Sequence, residues 1–471
     1  MTDFKKGKLK QSRMSKRKIF TGLLLAVCML VGCVKREQEE PVAEVTSEVG
    51  SEAASEPVTT EAESGSKTYD QTEEKTEELT EVQTEEPTTE VYVHGDDGYY
   101  CTLDDYSMSL EAQTGGTCWV YAAACTMKMN WFKKTGEYVE LSPYRLLDLI
   151  YADDDKKGIT VKEGDDYVDL GGNQVFVTFK CSNGYDGYVL DDTTFLDGHD
   201  HEALKAYIRE NGGVAACVPD ARSYRRNFHG YFTINQVTDN YSFYDHDVTI
   251  VGWDDHFPKD YFLEPASQDG AWLAYNSMFA NELYYISYDT LLLEVYGHSI
   301  TDKYKEVLSH DEGMNYLEPS EAEYVALPTK SAFGNGVKVA NVFSGKGKLG
   351  AVGTYSLTPE QDIKIEICDK NMEKVLYTQG AHFKNAGYHT VELTEPMDVD
   401  GFAVAVTYGF DAPAEGEGVE DWIRFIPNAE KGVSYLWLDG EWKDTTDPAT
   451  ARAAGLGVTI NNVCIKALML K

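Results

Sequence analysis

The chain has 471 residues, of which 42% are hydrophobic and 12% aromatic, so it is long enough for at least two packed domains. Its formal net charge at pH 7 is −37, and about −30 of this charge falls on residues 91–471. Because so acidic a body repels phosphate groups, we exclude nucleic-acid binding.

The first 33 residues have the pattern of a secretory leader. Eight Lys or Arg residues and one Asp accompany the apolar run "IFTGLLLAVCMLVGC", which is too short for a lasting transmembrane helix. The run ends in "LVGC", which resembles the bacterial lipobox, and this resemblance implies lipidation of Cys33. We therefore expect an extracytoplasmic protein held on the membrane by a lipid anchor. An ordinary cleaved signal peptide is the alternative.

Residues 34–95 are predicted to be a disordered stalk. Between Val34 and Glu90 there are 18 acidic and four basic residues, interleaved with Thr, Ser, Pro and Val. Such a segment cannot bury a core, and its own charge extends it. Fully stretched, it would reach about 200 Å. A solvated linker with no role in reach is the other interpretation.

Glycines then lead into a candidate helix that begins with a cysteine. The stretch "QTGGTCWVYAAA" starts at Gln113, and helical character continues from Cys118 to Lys134, with Gly136 just beyond the end. Unpaired N–H groups at a helix N-terminus stabilise a thiolate, which is the nucleophilic form of Cys. Cys118 is therefore a candidate nucleophile, with a small buried thiol as the alternative. Cys125 is predicted to be such a buried thiol.

A histidine and an asparagine follow at suitable positions. In "YDHDVTIVGWDD", His246 opens an apolar, β-branched run that predicts a buried strand over Val248–Trp253. The stretch "GAWLAYNS" predicts another strand, ending in Asn276. The intervals from Cys118 to this His and this Asn are near those of papain-type enzymes.

These stretches, in this order, resemble a papain-like cysteine peptidase, most closely the bacterial branch with a C-terminal lectin-like domain. "ELSPYRLLDL", "DLGGNQVF" and "LKAYIRENGGVAACV" match further segments of that family. The resemblance covers residues 96–305 and implies an α+β, two-lobed peptidase domain that needs no cofactor and no metal. Its substrate would be a protein or peptide.

The resemblance also implies roles for individual residues. Cys118 would attack the peptide carbonyl as a thiolate, and His246 would hold and return the proton. Asn276 would orient the imidazole through its side-chain oxygen. Gln113 would donate its amide N–H to the oxyanion, together with the backbone N–H of Cys118.

Substrate binding is expected at three positions. The glycine pair Gly171 and Gly172 would let the substrate backbone approach closely, because neither residue has a Cβ. Asp245, directly before the histidine, is also expected to contact substrate.

Two departures from the family pattern weaken the expectation of full activity. Only five positions separate Gln113 from Cys118, one fewer than is usual, and this could displace the oxyanion donor. Met278 stands where the family has a Trp that shields the Asn–His hydrogen bond, so we expect a wetter and less firm bond.

The other Cys and His residues suggest no further chemistry. Six cysteines permit disulfides in an exported protein, and free buried thiols are an equal alternative; the six are Cys101, Cys125, Cys181, Cys217, Cys368 and Cys464. His199 and His201 in "GHDHEALKAY" lack a third metal ligand and are predicted to lie at the polar start of a helix.

Residues 306–471 have the pattern of an all-β sandwich. Stretches such as "QDIKIEICD" and "FAVAVTYG" alternate apolar and polar residues, and "GVSYLWLDGEWKD" predicts a hairpin turning at Asp439-Gly440. This region resembles the lectin-like domain of the bacterial relatives. Trp437 and Trp442 could stack on sugar rings, which makes a glycan a candidate ligand, or they could serve in packing.

Three function classes therefore stay open. The first is a surface-anchored cysteine endopeptidase that hydrolyses extracellular proteins. The second is a cell-wall amidase, which also has a Cys at a helix start, but the 128 positions between Cys118 and His246, and the presence of Asn276, argue against it. The third is a catalytically weak or inactive papain-fold adhesin that binds protein or glycan.

Overall fold

A computed structural model of the chain describes most residues after Val91. The described residues are 92–95, 97–107, 111–152, 158–161, 168, 171–219, 225–226, 230–238, 243–279, 283–312, 322–327, 336–409, 411–419, 423–456 and 459–471. The predicted signal peptide, the predicted lipidation site Cys33 and nearly all of the predicted stalk lie outside these residues. Within them, no helix is both long enough and apolar enough to cross a membrane.

The longest helix begins at the candidate nucleophile. It ends where Gly136 adopts a left-handed backbone (φ 73°), and the N–H of this glycine donates to Phe132 O over 2.7 Å. The prediction of a helix over Cys118–Lys134 is therefore confirmed with one added residue. The helices of the described residues are α1 Cys118–Thr135, α2 Pro143–Ile150, α3 Gln174–Cys181, α4 His201–Asn211 and α5 Pro448–Ala453.

The first half of the described chain builds a sheet around β8, which carries the candidate histidine. This strand pairs antiparallel with β1, β5 and β9, and nearly all of its residues are buried. The strands of this half are β1 Tyr99–Cys101, β2 Tyr151–Ala152, β3 Gly158–Val161, β4 Val189–Leu196, β5 Val214–Pro219, β6 Arg225–Arg226, β7 Phe232–Ile234, β8 Tyr244–Asp254, β9 Ala271–Tyr275, β10 Leu283–Ser287, β11 Leu293–Thr301 and β12 Tyr304–Leu308. Of these, β2 and β3 belong to a separate sheet that strands of the second half complete.

The second half is β-rich, and its core is dominated by Val, Ile, Leu and Phe from the two long strands and their neighbours. The hairpin predicted at Asp439-Gly440 is confirmed, with φ of 51° and 85° at the two turn residues. The strands are β13 Ala322–Leu327, β14 Val337–Ser356, β15 Gln361–Asp369, β16 Val375–Phe383, β17 Gly387–Tyr408, β18 Ala412–Val419, β19 Ile423–Ile426, β20 Ser434–Leu438, β21 Glu441–Asp444 and β22 Ile465–Leu470. The predicted fold class, a papain-like α+β domain followed by a β-rich lectin-like domain, is confirmed.

The two halves are joined by strand pairing and by a shared core. Strand β17 pairs with β4, strand β12 pairs with β22, and residues 93–471 form one compact unit. Tyr355 and Tyr388 of the second half belong to the hydrophobic cluster that contains Cys118 and Trp119. The boundary predicted between residues 305 and 306 falls inside β12, so it would divide a strand that already pairs with the C-terminal β22. The division into two domains at that point stays a prediction.

Candidate active site

Cys118 is the first residue of α1 and is buried. The preceding Thr117 does not cap the helix, because its hydroxyl donates instead to Thr114 O over 2.8 Å. The first turn also contains no acidic side chain. The N–H groups at the start of α1 therefore keep their positive potential, which favours an anion such as a thiolate.

His246 and Asn276 form a direct hydrogen bond, with 2.9 Å between Nε2 and Oδ1. The asparagine oxygen also accepts the backbone N–H of Met278 over 2.9 Å. Because a backbone N–H requires an acceptor, the amide atom between these groups is the oxygen, and His246 must donate to it through Nε2. This arrangement leaves Nδ1 as the nitrogen of the neutral imidazole that can accept a proton.

The expectation of a wetter His–Asn bond was wrong. Met278 is 37% exposed, yet Asn276 is 0% exposed and His246 is 3% exposed. Strand β9, which ends at Tyr275, pairs with β8 and brings the asparagine beneath the surface beside the imidazole. Burial of both partners strengthens the bond electrostatically, since little water competes for it.

Gln113 is attached to the asparagine loop by two hydrogen bonds. Its backbone N–H donates to Ser277 O over 2.8 Å, and its Oε1 accepts the Ser277 hydroxyl over 2.7 Å. The side-chain nitrogen Nε2 donates one proton to Gly115 O over 2.9 Å. An amide nitrogen carries two protons, so the second can serve another acceptor.

Gln174, which the sequence analysis did not single out, links the nucleophile segment to the histidine segment. Its Nε2 donates to Trp119 O over 2.9 Å and to Asp247 Oδ2 over 2.7 Å. Trp119 follows Cys118 and Asp247 follows His246, so one fully buried amide holds the neighbours of both residues. The only signal in the sequence was its place after the glycine pair in "DLGGNQVF".

A second contact joins the same elements. The hydroxyl of Thr249 on β8 donates to Ala122 O on α1 over 3.3 Å. This bond fixes helix α1 to strand β8 close to both candidate residues, because Ala122 lies one helical turn after Cys118 and Thr249 lies shortly after His246 on the strand.

The predicted substrate-binding glycines have structural reasons of their own. Gly171 has a left-handed backbone (φ 82°), and its carbonyl accepts the hydroxyl of Tyr151 over 2.6 Å. A Cβ on Gly172 would lie 2.4 Å from the ring of Trp119, so no side chain fits there. Asp245 is half-buried, directly before His246 on β8. The substrate contacts of all three residues stay predictions.

The predictions of a buried thiol at Cys125 and of a polar helix start around His199 and His201 are confirmed. None of the seven described cysteines is in a disulfide, and burial raises the pKa of Cys125 to about 12, so this thiol is unreactive at neutral pH. Asp200 caps α4 by accepting the N–H of Ala203, which confirms a polar helix start around His199 and His201. Among the described residues, no group of three His, Cys, Asp or Glu could hold a metal ion.

The tryptophan pair of the β-rich half lies on one face of the β20–β21 hairpin. Trp437 is 39% exposed and directly opposite Trp442, with ring centroids 5.1 Å apart. Lys338 Nζ lies 5.7 and 5.4 Å from the two ring centroids. The two indole rings therefore pack against each other and against the ammonium group of Lys338. Contact of the pair with a glycan stays a prediction.

Sequence and structure comparisons agree with this architecture. Residues 110–277 match the model of the papain family cysteine protease, and residues 326–469 match the lectin like domain. No curated protein sequence matches the chain significantly.

Two solved structures share the fold over most of the chain. The cysteine protease and lectin-like domains of Cwp84, a surface layer associated protein of Clostridium difficile, superpose with a TM-score of 0.60 at 18% identity, covering 80% of this chain and 89% of that one. The clostridial cysteine protease Cwp84 after propeptide cleavage gives a TM-score of 0.60 at 17% identity, covering 79% and 98%. At this identity the likeness concerns the fold. With the two family models, it shows that the chain carries a papain family cysteine protease domain followed by a lectin-like domain.

Proposed function

We propose that the protein is a surface-anchored cysteine endopeptidase that hydrolyses extracellular proteins by a Cys-His-Asn mechanism. The observation that carries the mechanism is the buried hydrogen bond from His246 Nε2 to Asn276 Oδ1. This bond fixes one tautomer of the imidazole, with Nδ1 ready to take a proton. Cys118, at the start of α1, is the nucleophile.

The reaction proceeds through a thioester. The proton of the Cys118 thiol passes to His246 Nδ1, and the sulfur forms a bond to the carbonyl carbon of the scissile peptide. The tetrahedral intermediate then collapses, the C–N bond breaks, and His246 gives its proton to the departing amine. Water, deprotonated by the same imidazole, hydrolyses the thioester and restores the thiol.

Two donors are available for the oxyanion of the tetrahedral intermediate. One is the backbone N–H of Cys118 at the start of α1. The other is the second Nε2 proton of Gln113, whose side chain Ser277 holds through Oε1. This hydrogen bond and the one from the Gln113 backbone N–H to Ser277 O fix the glutamine to the asparagine loop.

The cellular setting rests on the sequence. The leader ending in Cys33 supports export and lipid anchoring, and the acidic residues 34–95 support a stalk that holds the peptidase away from the membrane. Cwp84 is a surface layer associated protein, which agrees with an extracellular location for this chain. A glycan bound by the lectin-like domain would bring the peptidase to the surface of a cell.

Covalent labelling tests the mechanism directly. We expect an epoxide inhibitor of papain-like enzymes to label residues 91–471 at Cys118 and to abolish cleavage of an unstructured protein. The Cys118→Ala variant loses both labelling and cleavage. The matched control Cys125→Ala removes another thiol of the same helix and retains both. A wild-type protein that reacts at no cysteine and cleaves nothing under reducing conditions would instead support the inactive adhesin.

A further inference from the structure

A lysine and an aspartate that are remote in sequence form a completely buried ion pair. Lys466 Nζ, on β22, donates to Asp311 Oδ2 over 2.5 Å, and neither side chain has any solvent exposure. Burial removes the hydration of both ions, and their mutual attraction often fails to offset that loss. The proposed peptidase reaction uses neither group, so the pair requires an explanation of its own.

The surrounding side chains hold the two groups in a fixed orientation. Lys466 Nζ also donates to Asn183 Oδ1 over 2.7 Å and to Ser309 Oγ over 3.0 Å. The Ser309 hydroxyl donates in turn to Asp311 Oδ1 over 2.9 Å. The lysine nitrogen is therefore held against a carboxyl group whose other oxygen is polarised by a hydrogen-bond donor.

A second buried carboxyl group shows that this environment favours neutral forms. Glu415 on β18 is buried, and its two oxygens accept the backbone N–H of Glu312 and the side-chain amide of Asn462. Burial, together with repulsion from Asp311, raises the pKa of Glu415 to about 8, so this acid keeps its proton near neutral pH. The same low dielectric favours transfer of a proton from Lys466 to Asp311, which gives an amine beside a carboxylic acid.

We propose that Lys466 and Asp311 condense into an intramolecular amide bond, a covalent modification that needs no enzyme and no cofactor. After one proton has passed from the ammonium to the carboxylate, the neutral Nζ attacks Asp311 Cγ. Oδ1 takes up the negative charge while Ser309 donates to it. The Cγ–Oδ2 bond then breaks, and Oδ2 leaves as water with a second proton from the nitrogen. One ammonium and one carboxylate thus become one amide and one water molecule, and nothing is oxidised or reduced.

Positioning and burial both favour this reaction. Well-oriented intramolecular reactions reach effective molarities of about 10⁵–10⁸ M, which compensates for an electrophile as weak as a carboxylic acid. Condensation also removes two charges from the interior, so the cost of burying them disappears. Because both side chains have no solvent exposure, water has little access to hydrolyse the amide.

The amide staples the two ends of the lectin-like half together. Its two residues are 155 positions apart. Asp311 lies shortly before the matched lectin-like residues 326–469, and Lys466 lies near their end. None of the described cysteines is in a disulfide, so the amide supplies the covalent closure that disulfides provide in many exported proteins.

Peptide mapping of the full wild-type chain tests the proposal. The folded protein is purified, reduced, denatured and digested with trypsin, which does not cleave after an acylated lysine. We expect one species that joins residues 306–330 to residues 453–471, lighter than the two peptides together by one water molecule, about 18 Da. The exposed pair Lys471–Asp302 is the matched internal control. Water keeps both of its ions charged, so residues 260–303 should stay unlinked.

Three outcomes would overturn the cross-link. The first is a wild-type digest in which residues 306–330 and residues 453–466 occur only as separate peptides. The second is a link from Lys466 to Asn183 with loss of ammonia, and the third is a linked species that persists in Asp311→Ala. The wild-type digest decides the question even if the variant does not fold. No cleavage by the protein itself is measured, so the result is independent of the proposed peptidase function.

Discussion

Replacing Asn276 by alanine removes the acceptor that holds His246, the proposed catalytic histidine. In the native protein, Asn276 Oδ1 accepts both the Nε2–H of His246 and the backbone N–H of Met278. Both donors are left without a partner in a site where the histidine is only 3% exposed. Water therefore cannot replace the lost oxygen as it would at an exposed position.

The size of the effect follows from the charge that develops on the imidazole. In the proposed mechanism, His246 takes the thiol proton and becomes imidazolium, so its bond to Asn276 becomes charge-assisted. Hydrogen bonds to charged groups contribute roughly 1.5–3 kcal/mol, which corresponds to a loss of about 10- to 150-fold in kcat/KM. We expect a larger loss for His246→Ala and no activity for Cys118→Ala.

The assay is cleavage of an unstructured protein under reducing conditions, together with the rate of epoxide labelling. Asn276→Ala should label at the same cysteine but more slowly, because its histidine is misplaced and its nucleophile is intact. The matched control Asn461→Ala removes a half-buried asparagine of the lectin-like domain and should keep the wild-type rate. A kcat/KM within twofold of wild type for Asn276→Ala, with normal folding, would refute the role of the buried bond.

Three further outcomes are expected. Cys33→Ser should release the protein from the membrane fraction or stall its processing, and unchanged membrane association and mass would contradict lipidation. Residues 306–471 expressed alone should have a lower urea midpoint of unfolding than residues 93–471, because the cut divides β12 and uncovers Tyr355. Equal midpoints for the two pieces would contradict this coupling. The folded-state pKa of Asp247 is about 6, against an ordinary value of 3.8, so the stability of the wild type falls as the pH rises from about 4 to 6. Asp247→Asn removes this ionisation and should therefore stabilise the protein above pH 6 by up to about 3 kcal/mol. Urea unfolding at pH 4 and pH 7.5 measures the last effect, and a variant no more stable than wild type at pH 7.5 would refute it.

Local patterns predicted the elements that carry the candidate site. The glycines before Cys118, the alanines after it and Gly136 beyond the end fixed the limits of α1 to within one residue. The apolar runs after His246 and before Asn276 predicted β8 and β9. These predictions succeeded because helix limits and buried strands depend on residues close together in sequence.

Features that depend on distant contacts escaped the sequence analysis. Nothing near Gln174 indicates that its amide bridges Trp119 and Asp247, which lie 55 and 73 positions away. The dry environment of Asn276 also has no local signal, because it comes from the pairing of β8 with β9 and not from the neighbouring Met278. The left-handed backbone of Glu294 could not be predicted from the sequence, because glutamate rarely adopts a positive φ.

The lectin-like half also contributes to the support of the nucleophile helix. The hydroxyl of Tyr355 on β14 forms a hydrogen bond of 2.9 Å with the hydroxyl of Ser182, the residue directly after α3. The ring of Tyr355 belongs to the hydrophobic cluster that contains Cys118 and Trp119. Lys466 of β22, fully buried, donates to Asn183 of the first half and to Asp311, which follows β12. Removing one partner of such a buried ion pair leaves an uncompensated charge and is strongly destabilising. Because these contacts share a core with α1, the position of Cys118, the proposed nucleophile, depends on the second half as well as on the first. The lectin-like domain therefore acts as part of the peptidase scaffold, whatever it binds at its outer surface.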